Sequence, residues 1–328
     1  MLKDVNLRQA LLLVFVVLLL FAENLSESPL PSELVVDHGD RLVEVPDTVH
    51  KVYATTEMGT FLAYALEPDS ILGWNRGLSP ELEFAVLDPY HNLPTLGTWD
   101  ETYQTIRIDE IARLAPDLII HYTANNPFNQ VLADQIQETL GIPTVLLDNS
   151  LASLPDALRL LGHLLGKELR GQALAVFVEN HLDKLASFQA LHSSYQPIPV
   201  HIVSPREPGH FDELLGLAGM VEMPVWNDLP PLPDLVLIMP HTIADPYRAI
   251  EEDGHKRIYQ IPSFPLNWLE PGSIFSLLGL EWLHSIAYPT SYSGELVQTY
   301  STFMEVFFQL DLTPELVAWT LRRSGISF

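Results

Sequence analysis

Cysteine is absent from the 328-residue chain. That excludes disulfides, thiolate metal sites and a cysteine nucleophile. Positive charge is scarce: 17 Lys and Arg stand against 42 Asp and Glu, a formal net charge of -25. A phosphate backbone would be repelled, and no basic run interleaves with aromatics, so nucleic acid is excluded as a partner. An anionic small ligand would need a locally positive site against this field. Long apolar runs are also lacking. The longest, "ALLLVFVVLLLFA" from Ala10 to Ala22, reaches only about 20 Å as a helix, short of a hydrocarbon core of roughly 30 Å. The sequence spells no phosphate loop, GxGxxG, GxSxG or HExxH, so the common nucleotide, hydrolase and metalloprotease arrangements have no support.

What is present begins with that apolar run. Lys3 and Arg8 precede it and the polar "ENLSESPLPSE" follows, the pattern of a secretory signal peptide over residues 1–22. With no cysteine to carry a lipid, the expected product is free in a periplasm, or anchored if the segment stays attached. A hydrophobic content of 47% over this length predicts a globular body of two lobes, each with its own core.

Strand-like and helix-like segments alternate along the chain. "ELVVDHG" and "RLVEVP" read as a hairpin. "KVYA", "TFLAYAL" and "SILGW" read as strand, helix and strand. A helix through Ile108, Ile111 and Leu114 is followed by the strand "DLIIHY", a helix from Val131 to Leu140 and the strand "PTVLLD". From Lys167 to about His192 no proline intervenes, and 26 residues of helix would span about 39 Å, enough to bridge two lobes. Beyond it come "VHIVS", "HFDELLGLAG", "DLVLIMP", "KRIYQIP" and a final helical run from Gly294 to Arg322. The fold class is α/β: two Rossmann-like lobes with mainly parallel sheets joined by one long helix. The expected divisions are an amino-terminal lobe over 23–166, a backbone helix over 167–193 and a smaller carboxy-terminal lobe over 194–328.

In open α/β sheets ligands bind beyond the carboxyl ends of the strands. That rule selects Thr56, Glu57 and Met58 after the first parallel strand, Trp74 and Arg76 after the second, and His121 and Tyr122 at the end of "DLIIHY". In the second lobe it selects Arg206, His210 and His241. Arginine can hold an anion through paired hydrogen bonds, though either arginine reads equally as an ordinary loop charge. Trp99 and Tyr103 offer flat faces for a planar ligand or pack on their own domain. His121 reads either as a ligand contact or as a satisfied polar side chain at a strand end. The twelve histidines are scattered, with no His-x-His or His-x3-His pair, so no metal ligand set is indicated.

Taken in order, "RLVEVPDTVHKVYA", "IDEIARLAPDLII", "LGIPTVLLD", "LRLLGHLLGKELRGQALA", "ELLGLAGM" and "RIYQIP" resemble class III, helical-backbone substrate-binding proteins of ATP-driven (ABC) importers for siderophores, cobalamin and haem. "PSFPLNWLEPGSIFSLLGLEWLHSIAYP" is similar to the carboxy-terminal signature of an iron-complex branch. The resemblance implies a monomeric, non-catalytic receptor with no intrinsic cofactor. It would capture an iron chelate or similar metal complex in an inter-lobe cleft and deliver it to a permease with its ATPase. It further implies Trp268 at the cleft mouth, Leu277 to Leu283 in a packing helix, and permease contact through Glu213 on the second lobe and Asp134 as the nearest first-lobe candidate. The short, proline-rich "VEMPVWNDLPPLPD" and the "PREPGH" that follows "VHIVS" depart from the family pattern, so half of the pocket wall is unfamiliar. Two other readings use the same fold: a secreted or membrane-anchored interaction protein regulating a partner, and an enzyme, which lacks any acid-base motif.

Overall fold

The structure is a computed structural model and describes residues 32–100, 104–192, 196–204, 209–223, 235–240, 257–292, 296–322 and 324–325. The expected signal peptide lies outside the described residues.

The hairpin forms as expected. β1 (Ser32–Val36) pairs antiparallel with β2 (Leu42–Pro46). The turn is tied by the Asp37 carboxylate, which accepts from the backbone N–H groups of Gly39 and Arg41 at 2.9 and 3.0 Å. The chain then alternates through β3 (Val52–Ala54), α1 (Glu57–Leu66), α2 (Pro80–Ala85), α3 (Ile108–Leu114), β4 (Leu118–Thr123), α4 (Pro127–Leu140) and β5 (Thr144–Asp148). The three strands form a parallel sheet in the order β3-β4-β5. Their residues divide by parity. Val52, Ala54, Leu118 and Ile120 face the principal core, while Tyr53 and Ile119 face a smaller cluster on the other side. This double burial is why "DLIIHY" reads as a continuous apolar run rather than an alternating one.

Two expectations are corrected here. Helix α4 begins four residues before Val131, because Asn126 caps it by accepting from the Asn129 N–H at 2.9 Å and Pro127 fits the first helical position. "SILGW" is not a full strand. It contributes only isolated bridges, Val52 to Ile71 and Trp74 to Thr95.

Helices α5 (Leu154–Leu164) and α6 (Glu168–His192) follow, the latter 25 residues long. Gly171 in α6 is not a weak point in the helix. It lies against Gly162 of α5, where a Cβ on Gly162 would stand 2.8 Å from the Gly171 Cα. The missing side chains let the two backbones touch.

The second sheet is also parallel, in the order β7-β6-β8-β9, from β6 (Ile198–Val203), α7 (Asp212–Leu217), β7 (Met220–Glu222), β8 (Leu235–Ile238) and β9 (Arg257–Gln260). Helices α8 (Ser276–Ala287), α9 (Leu296–Phe308) and α10 (Pro314–Thr320) complete the described chain. The final helical run is split after α9, where Gln309 takes a positive φ of 56° and Thr313 caps α10 at the Leu316 N–H.

The two lobes do not keep separate cores. One contiguous cluster runs from Val35 to Leu321. Its link is aromatic: Phe308 of α9 lies 6.0 Å from Phe61 and 6.1 Å from Tyr64 of α1, and 5.3 Å from Phe275. Helix α9, expected within the second lobe, therefore packs back on the first. Fusing the cores removes apolar surface that two small lobes would each leave exposed.

Candidate functional site

The carboxyl ends of the first sheet are built by a polar network. Thr55, just past β3, is fully buried and shares a 2.7 Å hydrogen bond with Nδ1 of His121 on β4. Burial pushes the His121 imidazole down to about 4, so it is neutral at physiological pH. His121 is thus a core histidine with no exposed surface. Thr56 caps α1 by accepting from the Gly59 N–H at 3.2 Å and donates to the Tyr122 carbonyl at 2.9 Å. Tyr122 is buried, and desolvation raises its hydroxyl well above the usual range.

Trp74 and Trp99 are walls rather than open faces. The Trp74 indole N–H donates to the Tyr90 carbonyl at 2.9 Å, and its ring packs on Phe61 and Tyr64. The Trp99 backbone N–H donates to the Thr55 carbonyl at 2.9 Å, and its ring joins the cluster with Tyr53 and Leu96. Met58 is partly buried against the principal core. Between these elements Asn75 donates to the carbonyls of Ala54 and Gly97 and accepts from the Thr60 hydroxyl at 2.7 Å. The whole edge is thereby fixed before any ligand arrives.

Charge emerges from this edge at two positions. Arg76 is 63% exposed and donates from Nε to Oε1 of Glu57 at 2.5 Å. The Glu57 carboxyl is nonetheless raised above its ordinary value. Burial dominates, Arg76 opposes it, and the neighbouring Glu270 adds to it. Glu270 belongs to the loop between β9 and α8 in the second lobe, so its field on Glu57 acts between the lobes. It is accompanied by His210, whose Nε2 lies 3.7 Å from Glu270 Oε1. That is too long for a hydrogen bond but close enough for attraction once the imidazole is protonated. The His210 ring stands edge-on to Phe211 at 4.8 Å. A second inter-lobe contact lies nearby. Gly272, at φ 73°, leaves room for the Asn149 side chain just beyond β5, where a Cβ would meet Nδ2.

Several expected site residues are thus brought together and others are not. Thr56, Glu57, Arg76 and His210 gather at the carboxyl edges, whereas His121, Tyr122, Trp74 and Trp99 lie behind them as support. Trp268 is a correction. It is fully buried, donates from its indole N–H to the Phe264 carbonyl at 3.0 Å and stands edge-on to Tyr300 at 4.9 Å. It anchors the loop from inside, and the cleft surface goes to its neighbour Glu270. Leu277, Leu278, Leu280, Trp282 and Leu283 all pack inside α8, as the resemblance implied. Tyr103, Arg206 and His241 lie outside the described residues. Glu213 is exposed on α7, and Asp134 is exposed on α4, where it holds Arg41 at 2.9 Å.

Sequence reasoning missed Glu270 because its selection rule looked only just past strands, while Glu270 follows β9 by ten residues. Its position beside Trp268 in "PLNWLEPG" was the available signal. Among the described residues no group of three His, Asp or Glu side chains is placed to hold a metal ion, and no helix is long and apolar enough to cross a membrane. A hollow of about 440 Å³ between Asp47, His50, Asp69 and Lys167 lies at the amino ends of the strands, away from this edge. Two of its charged groups are held internally, Lys167 by Glu67 at 2.5 Å and Asp69 by the Tyr90 hydroxyl at 2.7 Å.

Comparison with known proteins places this architecture. No curated protein matches the chain in sequence. An ABC transporter solute-binding protein from Sulfurospirillum deleyianum superposes with a TM-score of 0.75 at 21% identity, covering 88% of this chain and 99% of its own. The molybdate-binding protein MolA from Haemophilus influenzae gives 0.67 at 16% identity, with 86% and 99% covered. The vitamin B12-binding protein BtuF of Vibrio cholerae gives 0.53 at 21% identity, with 74% and 97% covered. The fold is that of the helical-backbone periplasmic binding proteins, and residues 93–204 match the family model described as periplasmic binding protein.

Proposed function

We propose that the protein is the periplasmic solute-binding component of an ABC importer, and that it captures an iron chelate or similar metal complex between its lobes for delivery to a permease. The observation that carries this reading is the apposition of Glu57 and Arg76 on one lobe with Glu270 and His210 on the other. These groups are partly exposed, come from both lobes and stand on a rigid edge, which suits recognition by a few placed polar groups. Two carboxylates against one permanent cation favour a ligand with a positive centre, such as a chelated metal, over a free oxyanion. The hydroxyl of Thr55 and the imidazole of His121 are paired at 2.7 Å, but both are fully buried and out of reach of a bound ligand, so the reading is a receptor rather than an enzyme. The resident cofactor is none; the metal complex is cargo. The apolar run Ala10 to Ala22 supports export to the periplasm, and Glu213 and Asp134 are the proposed permease contacts. The working form is a monomer.

The test is thermal denaturation of the purified protein with ferric siderophores, haem, cobalamin, nickel-histidine and molybdate. A ligand at a hundredfold excess over its Kd adds about 2.7 kcal/mol of stability. One metal complex is expected to raise the midpoint, and Glu57→Gln and Glu270→Gln are expected to reduce that rise. A midpoint raised by molybdate alone, or a rise unaffected by either substitution, would overturn the reading.

A further inference from the structure

A second feature of the same cleft stands apart from the charged groups. Phe84 on α2 of the first lobe is 56% exposed, and Trp319 on α10 is 51% exposed. Both rings meet the buried Phe264 edge-on, at 5.9 Å and 6.1 Å respectively. Two large aromatics left half in water on either side of one buried ring are costly unless something covers them.

Beside them lies a cavity of about 280 Å³, lined by Glu81, Gln260, Ser263, Phe264, Trp319 and Arg322 among others. Gln260 ends β9 and Glu81 lies on α2, so the cavity spans the two lobes at the carboxyl edge of the second sheet. Its volume falls just under the roughly 300 Å³ lower bound of pockets for drug-sized ligands. That admits one substituted ring and excludes a whole macrocycle.

We infer that this cavity is an aromatic-ring subsite: it takes a single planar ring bearing an anionic oxygen substituent, stacked on Trp319 with the anion toward Arg322. The indole face supplies dispersion and quadrupole attraction. The exposed guanidinium supplies a local positive charge on an otherwise acidic protein, and it is geometrically suited to a carboxylate. Ser263 can engage a ring hydroxyl. The inference rests on the proposed function only in placing the subsite within the ligand cleft, and the ring is the moiety through which a larger ligand would be held.

The test uses metal-free probes, so that it does not depend on the chelate reading. Binding of benzoate to the full-length protein is measured by ligand-observed NMR and calorimetry. Cyclohexanecarboxylate keeps the charge without the flat ring, and benzyl alcohol keeps the ring without the charge. Benzoate is expected to bind more tightly than both. Trp319→Ala and Arg322→Gln, both at exposed positions, are each expected to weaken it roughly tenfold without lowering the thermal midpoint. Equal binding of all three probes, benzoate affinity unchanged in Trp319→Ala, or no benzoate binding would overturn the subsite. A metal complex that still binds in a Glu57-dependent way would then leave the proposed function standing. Benzoate binding with no metal complex bound would do the reverse.

Discussion

Arg170 of the long helix donates from Nη2 to the carbonyl of Val306 in α9 at 2.7 Å, while its Nε donates to the carbonyl of Ala65 in α1 at 3.0 Å. One guanidinium thus closes the last turns of two helices from different parts of the chain, at ends where carbonyls lack partners and positive charge is favoured. Arg170→Met is expected to lose both bonds and leave partly buried carbonyls unpaired. The cost is about 2–4 kcal/mol, seen as a lower urea midpoint with little change in slope. A midpoint within error of the parent would show that water replaces the guanidinium without loss.

Trp268 separates a structural tryptophan from a functional one. Its indole is fully buried, hydrogen-bonded and edge-on to Tyr300, so Trp268→Ala is expected to cost about 3–5 kcal/mol. Any change in ligand affinity should follow the loss of folded protein. Calorimetric unfolding of Trp268→Ala beside Trp319→Ala gives the contrast: the first should lower the midpoint by many degrees, the second hardly at all. Equal midpoints would contradict the burial.

His121 predicts a pH dependence of stability. Its folded-state pKa is lowered from 6.5 to about 4 by burial. Between those values the unfolded chain binds a proton that the folded chain does not, so stability contributed by neutral His121 is present above pH 6.5 and lost as pH falls toward 4. The full shift corresponds to about 3 kcal/mol. The check is urea unfolding at pH 7 and pH 4.5 for the parent and for His121→Asn. The parent should lose more stability over this interval than the variant. Equal losses would mean that His121 is not the group that titrates.

These three residues also show what could be read from the chain before its structure. The alternation of strands and helices was legible because burial on both sheet faces and the Gly141 cap leave local marks, whereas the start of α4 at Asn126 and Pro127 was passed over. The carboxyl-edge rule found Glu57 and Arg76, because loop position after a strand is a local property. It could not tell His121 from a ligand contact, since its burial depends on Thr55 and on α4, brought in by the fold. Trp268 was misplaced and Glu270 missed for one reason. Within "PLNWLEPG" the inward and outward residues are chosen by Tyr300 and Phe264, and no local periodicity records that choice. Nor did any local pattern foretell that α9 would fuse the cores through Phe308.

The contact between Gly162 and Gly171 yields a prediction whose sign can be reversed elsewhere in the same protein. A Cβ on Gly171 would lie 2.6 Å from the Leu158 carbonyl oxygen, and backbone cannot move aside as a flexible side chain would. Replacing glycine by alanine inside a helix ordinarily gains about 1 kcal/mol. At Gly171 the overlap forces α5 and α6 apart, and overpacking of this kind costs about 1–3 kcal/mol or more. Gly171→Ala should therefore lower the unfolding midpoint. Gly216 in α7 has nothing within 4 Å of the same methyl, so Gly216→Ala should raise it, by about 0.5–1 kcal/mol. Thermal unfolding of the two variants side by side decides the matter. Stabilisation by Gly171→Ala would mean that the helices do not touch there, and destabilisation by Gly216→Ala would mean that the space at α7 is filled.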